Sequence, residues 1–220
     1  MKTRAIIFDL DGTLLDTVED LADAANQVLS RGGFPIHPVE KYNHFVGDGL
    51  KTLIKRILPP DRVDEQTVRE CMESFGEIYI TMWNNKSRPY GGITEMLKSL
   101  KEQGVELAVL SNKPHDFTTM CVQESFSKDL FSHVFGQREG IPKKPDPAGA
   151  LEIARLLGLN PAEIVYVGDT SVDMTTGRDA GMFTLGVLWG FRDREELEQS
   201  GAGKIIEHPQ EIVDHVLTNC

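Results

Sequence analysis

Two hydrophobic patterns divide the chain. It opens on an unbroken apolar run, Ala5-Ile6-Ile7-Phe8, which reads as a buried strand. Val18, Leu21, Ala22, Ala25, Val28 and Leu29 then recur at helical spacing and predict an amphipathic helix over 18–31, capped by Asp16 or Thr17 and ended by Gly32-Gly33. Pro35 and Pro38 frame a short connection. Leu50, Leu53, Ile54, Ile57 and Leu58 give a second helix stopped by Pro59-Pro60, and Val68, Cys71, Met72, Phe75, Tyr79 and Met82 give a third. Residues 17–83 therefore read as all-helical.

From Asn84 to Gly92 the periodicity stops and breakers accumulate, marking a linker. Beyond it helices alternate with short apolar strands. A helix through Ile93, Met96, Leu97 and Leu100 precedes a strand over Val105–Leu110, and a helix over 116–125 precedes a short strand near 132–135. A helix over 147–157 leads to the strand 164–167, and a helix over 174–180 leads to the strand 183–188. Such alternation implies βαβ units and a mostly parallel sheet covered on both faces, an α/β core that includes the first strand. The economical organisation is an α/β domain over 1–16 and 84–220 with a helical insert over 17–83, its two crossings forming a hinge at which Gly91 and Gly92 absorb motion.

Ligands of an open α/β sheet gather beyond the carboxyl ends of its strands, so the residues there are informative. Asp9 and Asp11 follow the first strand, with Gly12 and Thr13 shaping a tight loop. A strand and an Asp-Gly hairpin turn would explain that stretch alone. Ser111 and Asn112 follow the strand 105–110, Lys144 lies between Pro142 and Pro145, and Gly168, Asp169, Thr170 and Asp173 follow the strand 164–167. Several carboxylates at one spot repel unless a cation sits among them, and an all-oxygen set with few protein ligands suits Mg²⁺ shared with a substrate phosphate. Ser111, Asn112 and Lys144 would then serve the other phosphate oxygens, which completes the parts phosphoryl transfer requires.

Charge narrows the partners. The net charge of −11 and the pI near 5.0 argue against nucleic acid or an anionic membrane, and no stretch approaches the ~20 apolar residues of a membrane helix. Cys71, Cys121 and Cys220 are odd in number and widely spaced, which disfavours a disulfide framework and points to a reducing, cytoplasmic setting; the phosphate site expected beyond the strands would serve a small phosphorylated metabolite, in a monomer or homodimer. None of the six histidines has metal-ligand spacing, and His44 alone stands near a loop of interest. Trp189 and Phe191 read as packing residues that could border the site, and 192–199 reads as a charged helix with a solvated face.

Asp9-x-Asp11-Gly12-Thr13, Ser111, Lys144 and Gly168-Asp169-Thr170-Ser171-Val172-Asp173 together resemble, in order and spacing, the four motifs of the haloacid dehalogenase superfamily of phosphohydrolases. The resemblance implies a Rossmann-like core with an inserted helical cap. It implies Asp9 as a nucleophile forming an aspartyl-phosphate, and Asp11 as the acid that protonates the leaving oxygen and later activates water. It further implies Mg²⁺ on Asp9, the Asp11 carbonyl and Asp169, with Asp173 ligating or supporting. Ser111 and Lys144 would bind phosphate, assisted by Thr13 and Asn112. The insert is similar to the cap of the phosphoglycolate phosphatase-like branch, whose specificity loop would be Gly47-Asp48-Gly49, with Asp48 as helix N-cap being the plainer alternative. The expected activity is hydrolysis of 2-phosphoglycolate. Pyrophosphate, nucleotide or sugar phosphates, a phosphoglucomutase-like transfer and a non-enzymatic phosphate sensor are the alternatives.

Overall fold

The computed structural model describes residues 2–218; Cys220 lies outside the described residues. In chain order the elements are β1 (Ala5–Phe8), β2 (Leu15–Asp16), α1 (Val18–Arg31), α2 (Val39–Phe45), α3 (Leu50–Ile57), α4 (Glu65–Tyr79), β3 (Arg88–Pro89), α5 (Ile93–Glu102), β4 (Glu106–Pro114), α6 (His115–Ser125), β5 (His133–Gln137), α7 (Ala148–Leu157), β6 (Ile164–Gly168), α8 (Ser171–Asp179), β7 (Phe183–Val187), α9 (Arg194–Gln199), β8 (Lys204–Ile206) and α10 (Gln210–Thr218).

Six strands form one all-parallel sheet in the order β5-β4-β1-β6-β7-β8. The first strand of the chain thus becomes a central one, which explains why all four of its residues are apolar and buried. Its side chains alternate between two layers. Ile6 and Phe8 pack with Met96 and Leu97 of α5, Cys121 of α6 and Ile212 of α10, whereas Ala5 and Ile7 pack with Ala150 and Ile153 of α7. From β1 the chain winds outward to β4 and β5, and from β6 it winds the other way to β7 and β8. The direction reverses between β1 and β6, and a crevice opens there at the carboxyl ends.

Helices α1 to α4 bury their apolar stripes against one another, with Leu21, Ala25, Leu29, Ile54, Phe75 and Tyr79 in a cluster of their own. Among the described residues, Phe191 is the one buried residue from the α/β side that joins it. The chain crosses between the two units side by side, because β2 pairs antiparallel with β3 through Leu15–Pro89 and Asp16–Arg88. The return crossing is pinned by Asp20. Fully buried in the first turn of α1, its carboxylate accepts from Lys86 N at 3.1 Å, Ser87 N at 2.8 Å and Ser87 Oγ at 2.7 Å.

Several local expectations are corrected. The connection after Pro35 contains the helix α2, which starts directly after Pro38 and buries Tyr42. Thr17 occupies the N-cap of α1 without capping it, because its hydroxyl donates to Asp11 Oδ1 at 2.8 Å. Strand β4 runs past Leu110 to Pro114 with a register shift, carrying Ser111 and Asn112 as strand residues. Helix α8 begins at Ser171 because Thr170 and Asp173 close a capping box there. The short β8 and α10 complete a region without a strong periodic signal.

Candidate active site

Asp9 leaves β1 with its backbone N–H donating to Val167 O of β6 at 2.9 Å, so its side chain enters the crevice beside that strand. Asp169 follows β6 directly, and Asp173 enters from the first turn of α8. All three carboxylates are buried, and each offers an oxygen within 4.8 Å of the others. Among the described residues one buried cation faces them: Lys144 Nζ lies 2.7 Å from Asp173 Oδ1 and 2.8 Å from Asp9 Oδ1. The second contact is an ion pair outside hydrogen-bond geometry, which leaves Asp9 Oδ1 with no donor.

Three carboxylates against one ammonium is an unbalanced buried charge, and the proton affinities register it. Burial pushes the Asp9 carboxyl up to about 7, against the pull of Lys144 and with the repulsion of Asp173. Burial, then Asp173 and Asp9, raise Asp169 well above the usual carboxylate range. Burial opposes the charge of Lys144, yet Asp173 and Asp9 outweigh it and hold the ammonium firmly protonated. An all-oxygen set with two excess negative charges and a donorless Asp9 oxygen fits a divalent cation, and this triad can hold one.

The walls keep the triad in place. Asp173 Oδ2 accepts from Thr170 N at 3.1 Å and Thr170 Oγ1 at 2.7 Å, so one carboxylate both starts a helix and grips Lys144. Asp169 accepts from Thr13 Oγ1 at 2.8 Å and from Phe191 N at 2.8 Å. The Thr13 hydroxyl is therefore directed at a carboxylate and braces it. Gly12 has a φ of +90°, and a Cβ there would fall on Asp169 Oδ2 and the Phe191 ring, so the loop needs glycine on both counts. Trp189 Nε1 donates to Thr13 O at 2.9 Å and closes the loop from outside.

Beside this cluster, β4 supplies three consecutive buried polar residues, Ser111, Asn112 and Lys113. The Ser111 hydroxyl accepts from Lys113 N at 3.2 Å. Asn112 bridges the backbone of Lys144, accepting from its N–H at 2.9 Å and donating to its carbonyl at 3.0 Å. Its side chain thus sets the lysine and reaches toward the helical unit through Gly47 O at 3.3 Å. Lys113 was invisible in the motif pattern. Its ammonium lies 2.9 and 3.1 Å from the two oxygens of Asp11 and 2.8 Å from Tyr79 Oη at the end of α4. The signal that finds it is its place directly after Ser111 and Asn112, a charged residue closing an apolar run. Asp11 lies outside the triad and is held between Lys113 and the Thr17 hydroxyl.

A cavity opens above Asp9 and Asp11, between the α/β unit and the helices, and Gly47 and Gly49 line it together with Ser111 and Asn112. Asp48 points elsewhere: its carboxylate pairs with Arg56 at 2.5 Å and its carbonyl accepts from Lys143 Nζ at 2.6 Å. The N-cap of α3 is Gly49, at a φ of +83°, so Asp48 does not cap that helix. His44 is exposed and does not line the cavity. The segment 192–199 departs from a purely solvated face. Arg192 reaches the carbonyls of Asn43 and Val46, the latter at 3.0 Å, and Glu196 Oε1 accepts from Ser171 N at 3.1 Å.

Residues 6–187 match the haloacid dehalogenase-like hydrolases. A phosphoglycolate phosphatase of Psychrobacter arcticus is 33% identical over 223 residues, spanning 99% of this chain and 97% of that protein. One from Neisseria meningitidis is 34% identical over 202 residues, spanning 90% and 86%. Among solved structures, a Lactobacillus delbrueckii protein provisionally described as phosphoglycolate phosphatase superposes with a TM-score of 0.92 at 31% identity, covering 98% of this chain and 99% of that one. A β-phosphoglucomutase of Clostridium difficile shares the fold alone, at 20% identity and a TM-score of 0.80 over 99% and 96%. A buried carboxylate triad at the switch point of a parallel sheet, matched along nearly the whole chain, places this protein in the haloacid dehalogenase-like hydrolase family, as a phosphatase.

Proposed function

We propose that the chain is a Mg²⁺-dependent phosphomonoesterase that works through a phosphorylated Asp9, with the helical unit 17–83 as its cap and 2-phosphoglycolate as its substrate. The carrying observation is the buried set of Asp9, Asp169 and Asp173 facing Lys144. The nearly full-length relatives named phosphoglycolate phosphatase support the substrate. Asp9, Asp169, Asp173 and the main-chain carbonyl of Asp11 would hold Mg²⁺, which when bound neutralises carboxylate and phosphoryl charge.

The side chains then divide the work. Asp9 attacks phosphorus while Lys144 offsets the negative charge gathering on the phosphoryl oxygens. Ser111, buried and with its O–H unclaimed among the described residues, donates to one of those oxygens. Asp11 gives its proton to the glycolate oxygen as the P–O bond breaks, then takes one from the water that cleaves the aspartyl-phosphate. Lys113 and Thr17 fix the direction of that carboxyl. Thr13 acts through Asp169 and Asn112 through Lys144, as positioning residues. Buried, free Cys71 and Cys121 accord with a reducing, cytoplasmic setting, and no helix of the described residues is long and apolar enough to cross a membrane.

Phosphate release across a panel of small phosphoesters, with Mg²⁺ and with chelator, tests the reading. Metal-dependent release with the highest kcat/KM on 2-phosphoglycolate is expected. Release from no member of the panel contradicts the enzyme, and a clear preference for pyrophosphate, a nucleotide or a sugar phosphate contradicts the substrate.

A further inference from the structure

The cavity above Asp11 must receive the leaving group, and its walls are mainly apolar: Leu21, Val46, Leu53, Phe75 and Phe117 line it. A substrate carboxylate buried there without a donor would bind poorly. One cation lines the cavity among the described residues, Lys113, and its ammonium already serves both oxygens of Asp11. Its remaining contact is the hydroxyl of Tyr79, a residue that also lines the cavity.

Tyr79 is set with care. It is 1% exposed, its ring stacks on Phe75 with centroids 5.2 Å apart, and Phe117 meets it edge-on at 5.0 Å. The hydroxyl oxygen accepts from Lys113 at 2.8 Å, but among the described residues no acceptor receives its proton. A buried O–H without an acceptor is a standing cost, and a phenol that accepts from an ammonium is a stronger donor for it.

We propose that the Tyr79 hydroxyl, polarised by Lys113, is the donor that receives a short anionic group on the leaving-group side of the substrate, the carboxylate in 2-phosphoglycolate. The inference deepens the proposed function and rests on it. Selectivity then comes from the last residue of α4, on the helical side of the cavity, while the reacting groups lie on the α/β side. Position supports the assignment, because Lys113 joins Tyr79 to Asp11, the group that meets the leaving oxygen.

The test compares kcat/KM for 2-phosphoglycolate and for ethyl phosphate, in which a methyl replaces the carboxylate, in the wild type and in Tyr79→Phe. That variant keeps the ring contacts and removes only the hydroxyl. The wild type should prefer 2-phosphoglycolate, and Tyr79→Phe should reduce that preference on the order of tenfold to hundredfold, chiefly through KM. The inhibition constant of propylphosphonate divided by that of 3-phosphonopropionate, in which a methylene replaces the bridging oxygen, should fall in parallel, a binding readout that a general loss of activity would not move. A wild-type preference that survives unchanged in Tyr79→Phe overturns the inference and leaves the substrate reading standing. A wild type that hydrolyses both esters equally overturns the substrate reading itself.

Discussion

The floor of the crevice and the seam above it are built on opposite principles. In the floor, charged groups hold one another at fixed distances: Lys144 binds Asp9 and Asp173, Thr170 binds Asp173, and Thr13 and Phe191 bind Asp169. Along the seam, core side chains grip main-chain carbonyls of the helical unit, Arg192 on Asn43 and Val46, Lys143 on Asp48 and Asn112 on Gly47, over an apolar cavity. A carboxylate cluster demands particular side chains, whereas a carbonyl can be gripped whatever residue carries it. Chemistry is therefore fixed below, while fit and closure are adjustable above. Changes in the floor should act on every phosphoester alike, and changes in the seam should act on KM and on choice of substrate.

The largest effect belongs to the floor. Asp9→Asn should lower kcat at least about 10⁴-fold on every phosphoester that the wild type hydrolyses, measured as steady-state phosphate release; loss on one substrate alone would move Asp9 out of the floor. Asp11→Asn should cost roughly 10²- to 10⁴-fold, and rapid quench should show slow phosphoenzyme formation with slower breakdown. Normal turnover in that variant would remove Asp11 from proton transfer.

The floor was legible for the same physical reason. Asp9, Asp11, Ser111 and Asp169 stand where apolar runs end, Lys144 and Asp173 complete the set from a proline-framed loop and the first turn of a helix, and buried polar groups so placed have few bland explanations. The α/β core was equally plain, since its strands are short apolar runs between helical periods. The seam left no such trace. Arg192 sits in a charged stretch whose ordinary fate is solvent, and its acceptors are carbonyls that no residue type announces. Asp20 occupied a polar helical position, and only the folded linker reveals that Lys86 and Ser87 converge on it. Tyr79 read as core because its ring is core, and its hydroxyl gains meaning only from Lys113, 34 positions away. Helix α2 was hidden by its seven-residue length, too short to establish a period.

A pH experiment sharpens the contrast. In the metal-free protein Asp9 titrates near 7, above its unfolded value, so between about pH 4 and 7 the folded state binds more protons than the unfolded one. Stability of the metal-free protein should accordingly fall as pH rises through that window. Mg²⁺ must displace the proton, so its affinity should rise with pH up to about 7, roughly tenfold per unit for one proton displaced. Titration calorimetry at pH 6 and 8 checks this, and equal affinities would contradict the coupling. The smallest effect belongs to the seam. Arg192→Met removes the grip on two carbonyls and should raise KM about 5- to 10-fold with kcat within about twofold. A fall in kcat as large as that of Asp11→Asn would erase the distinction between the two regions.

The claim that Asp9 attacks phosphorus underlies the whole division, and trapping the phosphoryl group tests it most directly. Asp11→Asn is mixed with substrate and Mg²⁺, quenched in acid within one turnover, digested and mapped by mass spectrometry. A single phosphoryl group on Asp9, appearing before free phosphate, is the predicted result; phosphate released at the full rate with Asp9 never modified, or modification of Ser111 instead, would contradict it.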